Sequence, residues 1–184
     1  IILILISPVM ILVSLIIKID SSGPVFFKQQ RIGLHARKFN LLKFRTMVLG
    51  AESLKKDLLN LNEQDGPAFK INDDPRITKI GRFLRKYSID ELPQLWNVVL
   101  GDMNLIGPRP PLEEEMQEYK DNQLRRLSIK PGITGLWQIN GRNEIKNFED
   151  WIKLDLEYID NWSLFLDFKI AIKTIPAIIK GTGK

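Results

Sequence analysis

The sequence predicts an α+β fold: a mostly helical, membrane-associated domain with one β-hairpin, a re-entrant N-terminal helix and interfacial amphipathic helices. Three observations predict it. The first 17 residues, IILILISPVMILVSLII, carry no charge. Two short runs rich in β-formers, VFFKQQRIG and KFNLLKF, flank the tetrapeptide LHAR and read as a hairpin. From Leu164 onward apolar residues recur at spacings of one, three and four with lysines between them, which is the period of an amphipathic helix.

A helix over the uncharged run is about 26 Å long, short of the ~30 Å hydrocarbon core of a bilayer. Ser7-Pro8 falls inside it. Proline removes one backbone hydrogen bond and bends or breaks a helix, leaving the carbonyl four residues earlier without its donor; in lipid that carbonyl needs a partner, and the Ser7 hydroxyl is the candidate. A bent helix that enters one leaflet and returns is favoured, with a spanning helix and a buried core helix as the alternatives. A cleaved signal peptide is disfavoured, because no basic segment precedes the run and no small-residue cleavage site follows it. The chain opens on Ile1 rather than Met, which points to upstream sequence. The expected division is a membrane helix over 1–19, N-terminally incomplete, and a body over 20–184.

At 184 residues the chain suits one domain with a real core. Its 44% hydrophobic content argues against intrinsic disorder. The absence of cysteine removes a disulfide framework, a thiolate zinc site and a thiol nucleophile. With 27 basic and 22 acidic residues the net charge is +5, so where the charge sits matters more than its size.

Ser21-Ser22-Gly23-Pro24 is a turn signal, and the hairpin follows. Its Lys28, Arg31, Arg37 and Lys38 are expected to be exposed, and His35, the single histidine, to be a surface residue near the tip. Residues 47–62 place Leu54, Leu58 and Leu61 at helical spacing. From Tyr158 to Lys180, an apolar series of Leu164, Phe165, Phe168, Ile172, Ile175 and Ile179 alternates with Lys169, Lys173 and Lys180, after Tyr158 and Trp162. That pattern suits a bilayer surface with anionic headgroups and equally a helix packed on the core. The closing GTGK lacks the upstream glycine of a phosphate loop.

The chemistry concentrates between Asp73 and Pro111. Five basic and no acidic residues lie from Arg76 to Lys86, and Arg82, Arg85 and Lys86 share a helical face suited to phosphate. Asp90-Glu91 follows. Pro93 belongs in the first turn of a helix, which puts Asp90 at or beside its N-cap, where a carboxylate is held as an anion. Ser88-x-x-Glu91 also fits a capping box, so Asp90 reads either as a cap or as a functional group. Two carboxylates beside an arginine face suit a divalent cation such as Mg²⁺, bridging them to a diphosphate. Gly107-Pro108-Arg109-Pro110-Pro111 is a rigid turn that fixes one arginine, and KPGITGLWQINGR, Lys130 to Arg142, with Trp137, Gln138, Asn140 and Arg142, suits the lining of a pocket.

Together these segments resemble the bacterial sugar transferase family, the monotopic polyprenyl-phosphate phosphoglycosyl transferases. The resemblance is carried, in order, by Ser7-Pro8 in an apolar helix, Lys43-Phe44-Arg45-Thr46-Met47, Asp74-Pro75-Arg76-Ile77-Thr78, Ser88-Ile89-Asp90-Glu91-Leu92-Pro93-Gln94, Gly101-Asp102-Met103, Gly107-Pro108-Arg109-Pro110 and Lys130-Pro131-Gly132-Ile133-Thr134-Gly135. It implies a re-entrant membrane helix with the catalytic domain on the cytoplasmic face of the bacterial inner membrane. The implied reaction moves a sugar-1-phosphate from a UDP-sugar to undecaprenyl phosphate with release of UMP, initiating a lipid-linked cell-surface glycan such as an exopolysaccharide, capsule or O-antigen. By the same resemblance Asp90 is the nucleophile, forming a phosphosugar-aspartyl intermediate, Glu91 is its catalytic partner, and Mg²⁺ sits at Asp90. Lys43, Arg85 and Arg109 hold phosphates and nucleotide. Membrane lipids are expected partners and nucleic acid is not, since aromatic interleaving is thin and the net charge low for that role. The alternative is a non-catalytic, membrane-docked anion-binding or scaffold module with Asp90-Glu91 as a helix cap.

Overall fold

Apolar on every side, the N-terminal run forms one helix, α1 (Ile2–Asp20), in the computed structural model, which describes residues 2–141, 145, 147–181 and 183. The helix continues through Pro8. Ser7 Oγ donates to the Ile4 carbonyl at 2.8 Å; that is the carbonyl four residues before Pro8, so the hydroxyl replaces the missing N–H as expected. By length and composition α1 is long and apolar enough to cross a membrane. Most of its surface is exposed, Ile4, Leu5, Ile11 and Leu12 included, which sets aside the buried core helix. Val13 and Ile17 are the buried contacts, against Phe44 and Leu84. Arg45 ties down the helix exit by donating to the Ser21 carbonyl at 2.7 Å and to the Ser21 hydroxyl at 2.9 Å.

The hairpin pairs β1 (Phe26–Ile32) with β2 (Lys38–Phe44), antiparallel, Phe26 opposite Phe44 and Ile32 opposite Lys38. His35 lies exposed at the tip, and so do Lys28, Arg37 and Lys38. Arg31 does not. It is buried, donating to the Pro110 carbonyl at 3.2 Å and to Gln29 Oε1 at 2.6 Å. Strand alternation assigns a face to solvent only where nothing covers it, and the chain from Pro110 onward covers this one.

Residues 47–62 also depart from expectation. A 3₁₀ coil, Ser53–Leu61, replaces the α-helix and buries none of its residues, with Leu54 and Leu61 exposed. Over nine residues, apolar spacings of three and four fit either helix type, and no core meets these leucines.

Helix α2 (Lys79–Lys86) starts at Thr78, whose hydroxyl accepts from the Gly81 N–H at 2.9 Å. A Cβ on Gly81 would lie 2.0 Å from the Thr46 carbonyl oxygen, so glycine lets α2 rest directly on the backbone leaving β2. Helix α3 (Gln94–Val99) docks on the same hairpin through buried Asn97. Its side chain accepts from the Leu42 N–H at 3.0 Å and donates to the Asn40 carbonyl at 2.8 Å. A second sheet pairs β3 (Asn104–Ile106) in parallel with β4 (Gly132–Thr134). Between these strands lie α4 (Glu113–Gln117) and a 3₁₀ turn, Gln123–Ser128; after them come α5 (Leu136–Ile139), α6 (Phe148–Asp160) and α7 (Leu164–Ile179). Helices around two small sheets match the expected α+β class.

Helix α7 packs on the core with one side and leaves its apolar series outside it. Ile170 is buried, with Leu136 and Tyr158. Leu164, Phe165, Phe168, Ile172, Ile175 and Ile179 are all exposed, Phe165 to 77%. That face therefore does not pack on the core. Trp162 is exposed beside it, but Tyr158 is not: it is buried and donates to Asp167 Oδ1 at 2.8 Å, because it sits on α6, whose inner face contributes to the core.

Candidate active site

Asp90 and Glu91 occupy a 3₁₀ turn, Ile89–Glu91, between α2 and α3. Ser88 before it is left-handed, φ 54°, and makes no side-chain cap. An N-cap is typically extended there, and without the Ser88 side-chain bond the expected capping box does not form. Nor is Asp90 the cap of α3; Pro93 occupies that position. What the sharp turn achieves is to bring Asp90, only 5% exposed, to the wall of a cavity of about 470 Å³.

Lys43, Arg85, Asp90, Glu91 and Arg109 all line this cavity. Lys43 reaches it from β2, its ammonium 3.3 Å from Glu91 Oε1. Arg85 reaches it from α2 and donates from Nε to the Thr46 hydroxyl at 3.1 Å. Burial pushes the Arg85 guanidinium pKa down, and the charge of Asp90 only partly restores it. A cation so penalised gains most from an incoming anion. Arg82 and Lys86, predicted on the same face, are exposed and outside the cavity; the Lys86 ammonium lies 5.6 Å from the centre of the Tyr87 ring.

Arg109 leaves the Gly107–Pro111 turn and meets Glu115 in a forked pair, Nη1 to Oε2 at 3.0 Å and Nη2 to Oε1 at 3.3 Å. Its guanidinium lies 5.3 Å from the centre of the Trp151 ring. The Leu112 N–H donates to Glu115 at 2.9 Å, and Arg31 stands 3.9 Å away. Burial would raise the Glu115 carboxyl, but Arg109 and Arg31 hold it below its ordinary value. Asp74 behaves likewise. Arg76 Nη2 lies 2.6 Å from Asp74 Oδ2 and Nε 2.9 Å from Oδ1, and these bonds outweigh burial and depress the carboxyl. Both residues line the cavity, so the Asp74-Pro75-Arg76 motif braces its wall.

The Lys130–Arg142 segment contributes Gly132, Ile133, Trp137 and Gln138 to the lining; Arg142 lies outside the described residues. A Cβ on Gly132 would fall 2.1 Å from the Gly107 nitrogen, so this glycine permits the β3–β4 contact from which Arg109 emerges.

Sequence reasoning missed Arg31, Glu115, Trp151, Arg126 and Asp155. Nothing distinguishes Glu115 from Glu113 and Glu114 in the sequence; only its position at the third residue of α4 turns it inward. Asp155 is buried on α6 against Arg126, and burial lifts its carboxyl to about 6 despite that partner.

Among the described residues no group of three or more His, Asp or Glu is placed to hold a metal. An all-protein cage is therefore absent there. Mg²⁺ ordinarily takes one or two carboxylates and completes its shell with water and substrate phosphates, and the oxygen donors of Asp90, with Glu91 beside it on the cavity wall, fit that need.

The bacterial sugar transferase family profile matches residues 1–181. The chain is 55% identical over 161 residues to the galactosyl transferase CpsE of Streptococcus agalactiae serotype III, covering 88% of this chain and 36% of that protein. It is 40% identical over 185 residues to the exopolysaccharide production protein ExoY of Rhizobium meliloti, covering 98% and 81%. Against the undecaprenyl-phosphate galactose phosphotransferase of Salmonella typhimurium the identity is 42% over 187 residues, covering 99% and 39%. The chain thus spans well under half of two of these relatives and most of the third.

Proposed function

The chain belongs to the bacterial sugar transferase family, and we propose that it transfers a sugar-1-phosphate from a UDP-sugar to undecaprenyl phosphate, releasing UMP. The observation that carries this reading is one cavity whose charged lining brings Asp90 and Glu91 together with Lys43, Arg85 and Arg109. A diphosphate brings negative charge to a carboxylate nucleophile, and only fixed positive charge lets the two anions approach. The names of relatives, which include galactose and glucose phosphotransferases, support a lipid carrier as acceptor.

In this reading an Asp90 oxygen attacks the β-phosphorus of the UDP-sugar. A P–O bond forms as the bond to the α-phosphate oxygen breaks, and UMP departs with that oxygen. The sugar-phosphate stays on Asp90 as an acyl phosphate. A phosphate oxygen of the lipid carrier then attacks the same phosphorus, and the Asp90 carboxylate leaves. Lys43 fixes Glu91 beside the nucleophile, Arg85 and Arg109 hold the diphosphate, and Asp90 would hold Mg²⁺. Bound there, the ion supplies charge neutralisation of the phosphate oxygens.

Two exposed apolar surfaces support a membrane location. One is the free part of α1; the other is the outer face of α7, studded with exposed Lys169, Lys173 and Lys180. In this reading both surfaces meet the bilayer, α1 is re-entrant, and the cavity lies on the cytoplasmic face of the inner membrane, where a soluble donor and a lipid acceptor both reach it. The test is UMP release from a panel of UDP-sugars led by UDP-galactose and UDP-glucose, with undecaprenyl phosphate and Mg²⁺. Turnover that disappears in Asp90→Asn supports the reading. Turnover retained in that variant removes the covalent step, and an inert wild type leaves the anion-binding scaffold.

A further inference from the structure

Outside the cavity lining, Arg126 and Asp155 form an ion pair withdrawn from solvent. Arg126 Nη2 lies 2.6 Å from Asp155 Oδ2, and each side chain is 1% exposed. Neither residue lines the cavity. Taking two ions out of water is costly, and a packed apolar pair is often as stable. Stability alone therefore gives no reason for the pair.

Its contacts do. Arg126 Nη2 also donates to the carbonyl of Arg109 at 3.2 Å. Its guanidinium lies 5.4 Å from the centre of the Trp151 ring, the same ring against which the Arg109 guanidinium rests at 5.3 Å. Arg126 thus touches both the backbone of Arg109 and the surface on which its head lies. Tyr119 accepts a further hydrogen bond from Arg126 Nη1, so the guanidinium is held on several sides.

We infer that Arg126, fixed by Asp155, is a positioning residue that sets the height and direction of Arg109 in the cavity. The inference rests on the proposed role of Arg109 as a phosphate ligand. Arg109 then has two tethers: Glu115 at its head and Arg126 at its backbone. Asp155 supplies the counter-charge that lets two guanidinium groups share one indole. Without it, Arg126 would stand as an unpaired buried cation beside Arg109 and push Arg109 out of register by like-charge repulsion.

The test is a mutant cycle on the full chain. Arg126→Met with Asp155→Leu removes both charges at similar volume and leaves no buried ion unpaired. Melting temperature, the Kd for UDP, and kcat and KM for UMP release are measured with Arg109 intact and with Arg109→Ala. The expected result is a melting temperature close to wild type, a roughly tenfold loss in kcat/KM and in UDP affinity when Arg109 is present, and less than a twofold further loss when Arg109 is already gone. A wild-type kcat/KM in the paired variant overturns the inference, as does a loss of equal size in both backgrounds. Should the paired variant fail to fold, Arg126→Lys in the same cycle decides, because an ammonium lacks the planar fork by which Nη1 reaches Tyr119 while Nη2 reaches Asp155 and the Arg109 carbonyl. If wild type binds UDP and turns over but the cycle is additive, the positioning role alone fails. If wild type neither binds UDP nor turns over, the role of Arg109 falls and the inference with it.

Discussion

Lys43 Nζ stands 3.3 Å from Glu91 Oε1, so strand β2 supplies the counter-ion for the carboxylate next to Asp90. The pair is partly open to solvent, with side chains 28% and 17% exposed, and pairs of this kind contribute about 0–1 kcal/mol to stability. Its worth is therefore expected in the reaction. Lys43→Met should leave the melting temperature within about 3 °C of wild type while UMP release falls at least tenfold. A large drop in melting temperature with turnover preserved would assign Lys43 to the fold.

Gly132→Ala is the strongest backbone prediction. The added methyl would sit 2.1 Å from the Gly107 nitrogen and 2.5 Å from the Ile106 carbonyl carbon, both main-chain atoms that cannot swing aside. Overpacking of this kind costs about 1–3 kcal/mol, or roughly 2–12 °C in a domain of this size. Because Arg109 follows Gly107 by two residues, affinity for UDP should fall as well. A calorimetric melt and a UDP titration on the same preparation check both.

Much of this arrangement was legible in the sequence because it depends on local chemistry. The hairpin follows from alternation and a short polar turn, and the Ser7 hydroxyl on the Ile4 carbonyl follows from what proline removes. Lys43, Arg85, Asp90, Glu91 and Arg109 were singled out by motif and do converge on one cavity. What the sequence withheld depends on tertiary contact. Arg31 looked solvated until the segment from Pro110 covered its strand face. Glu115 was hidden among three consecutive glutamates. The Ser88 capping pattern is not realised, because Ser88 turns left-handed after α2 and its side chain makes no cap there.

Acid should act on this protein with a definite sign. Asp74 and Glu115 have folded pKa values below their ordinary 3.8 and 4.5. Their stabilisation is fully present above those values and is lost as pH falls through the folded ones. Asp155 acts oppositely: raised to about 6 from 3.8, it favours folding at low pH and loses that contribution as pH rises from 3.8 to 6. Stability should thus rise from pH 7 to about pH 4.5, level off as the Glu115 loss offsets the Asp155 gain, and fall below about pH 3.8. Denaturation midpoints across that range test the shape. Glu115→Gln should flatten the acid limb, and an unchanged slope would remove Glu115 from the account.

Phe165 and Phe168 decide whether the outer face of α7 touches lipid. Both rings are exposed, 77% and 64%, so replacing them removes no core packing and the melting temperature in detergent should hold. In a bilayer each ring buried is worth about 1.5–3 kcal/mol, and a carboxylate in its place is repelled by anionic headgroups. Helix α1 would still attach the protein, so loss of attachment is the wrong readout. The expected effect of Phe165→Asp with Phe168→Asp is on the lipid-dependent step: transfer to undecaprenyl phosphate in liposomes should fall about tenfold. Affinity for UDP, which approaches from water, should not change. Equal losses in both would mean the substitutions had disturbed the cavity, and no loss in either would mean that α1 alone orients the domain on the membrane.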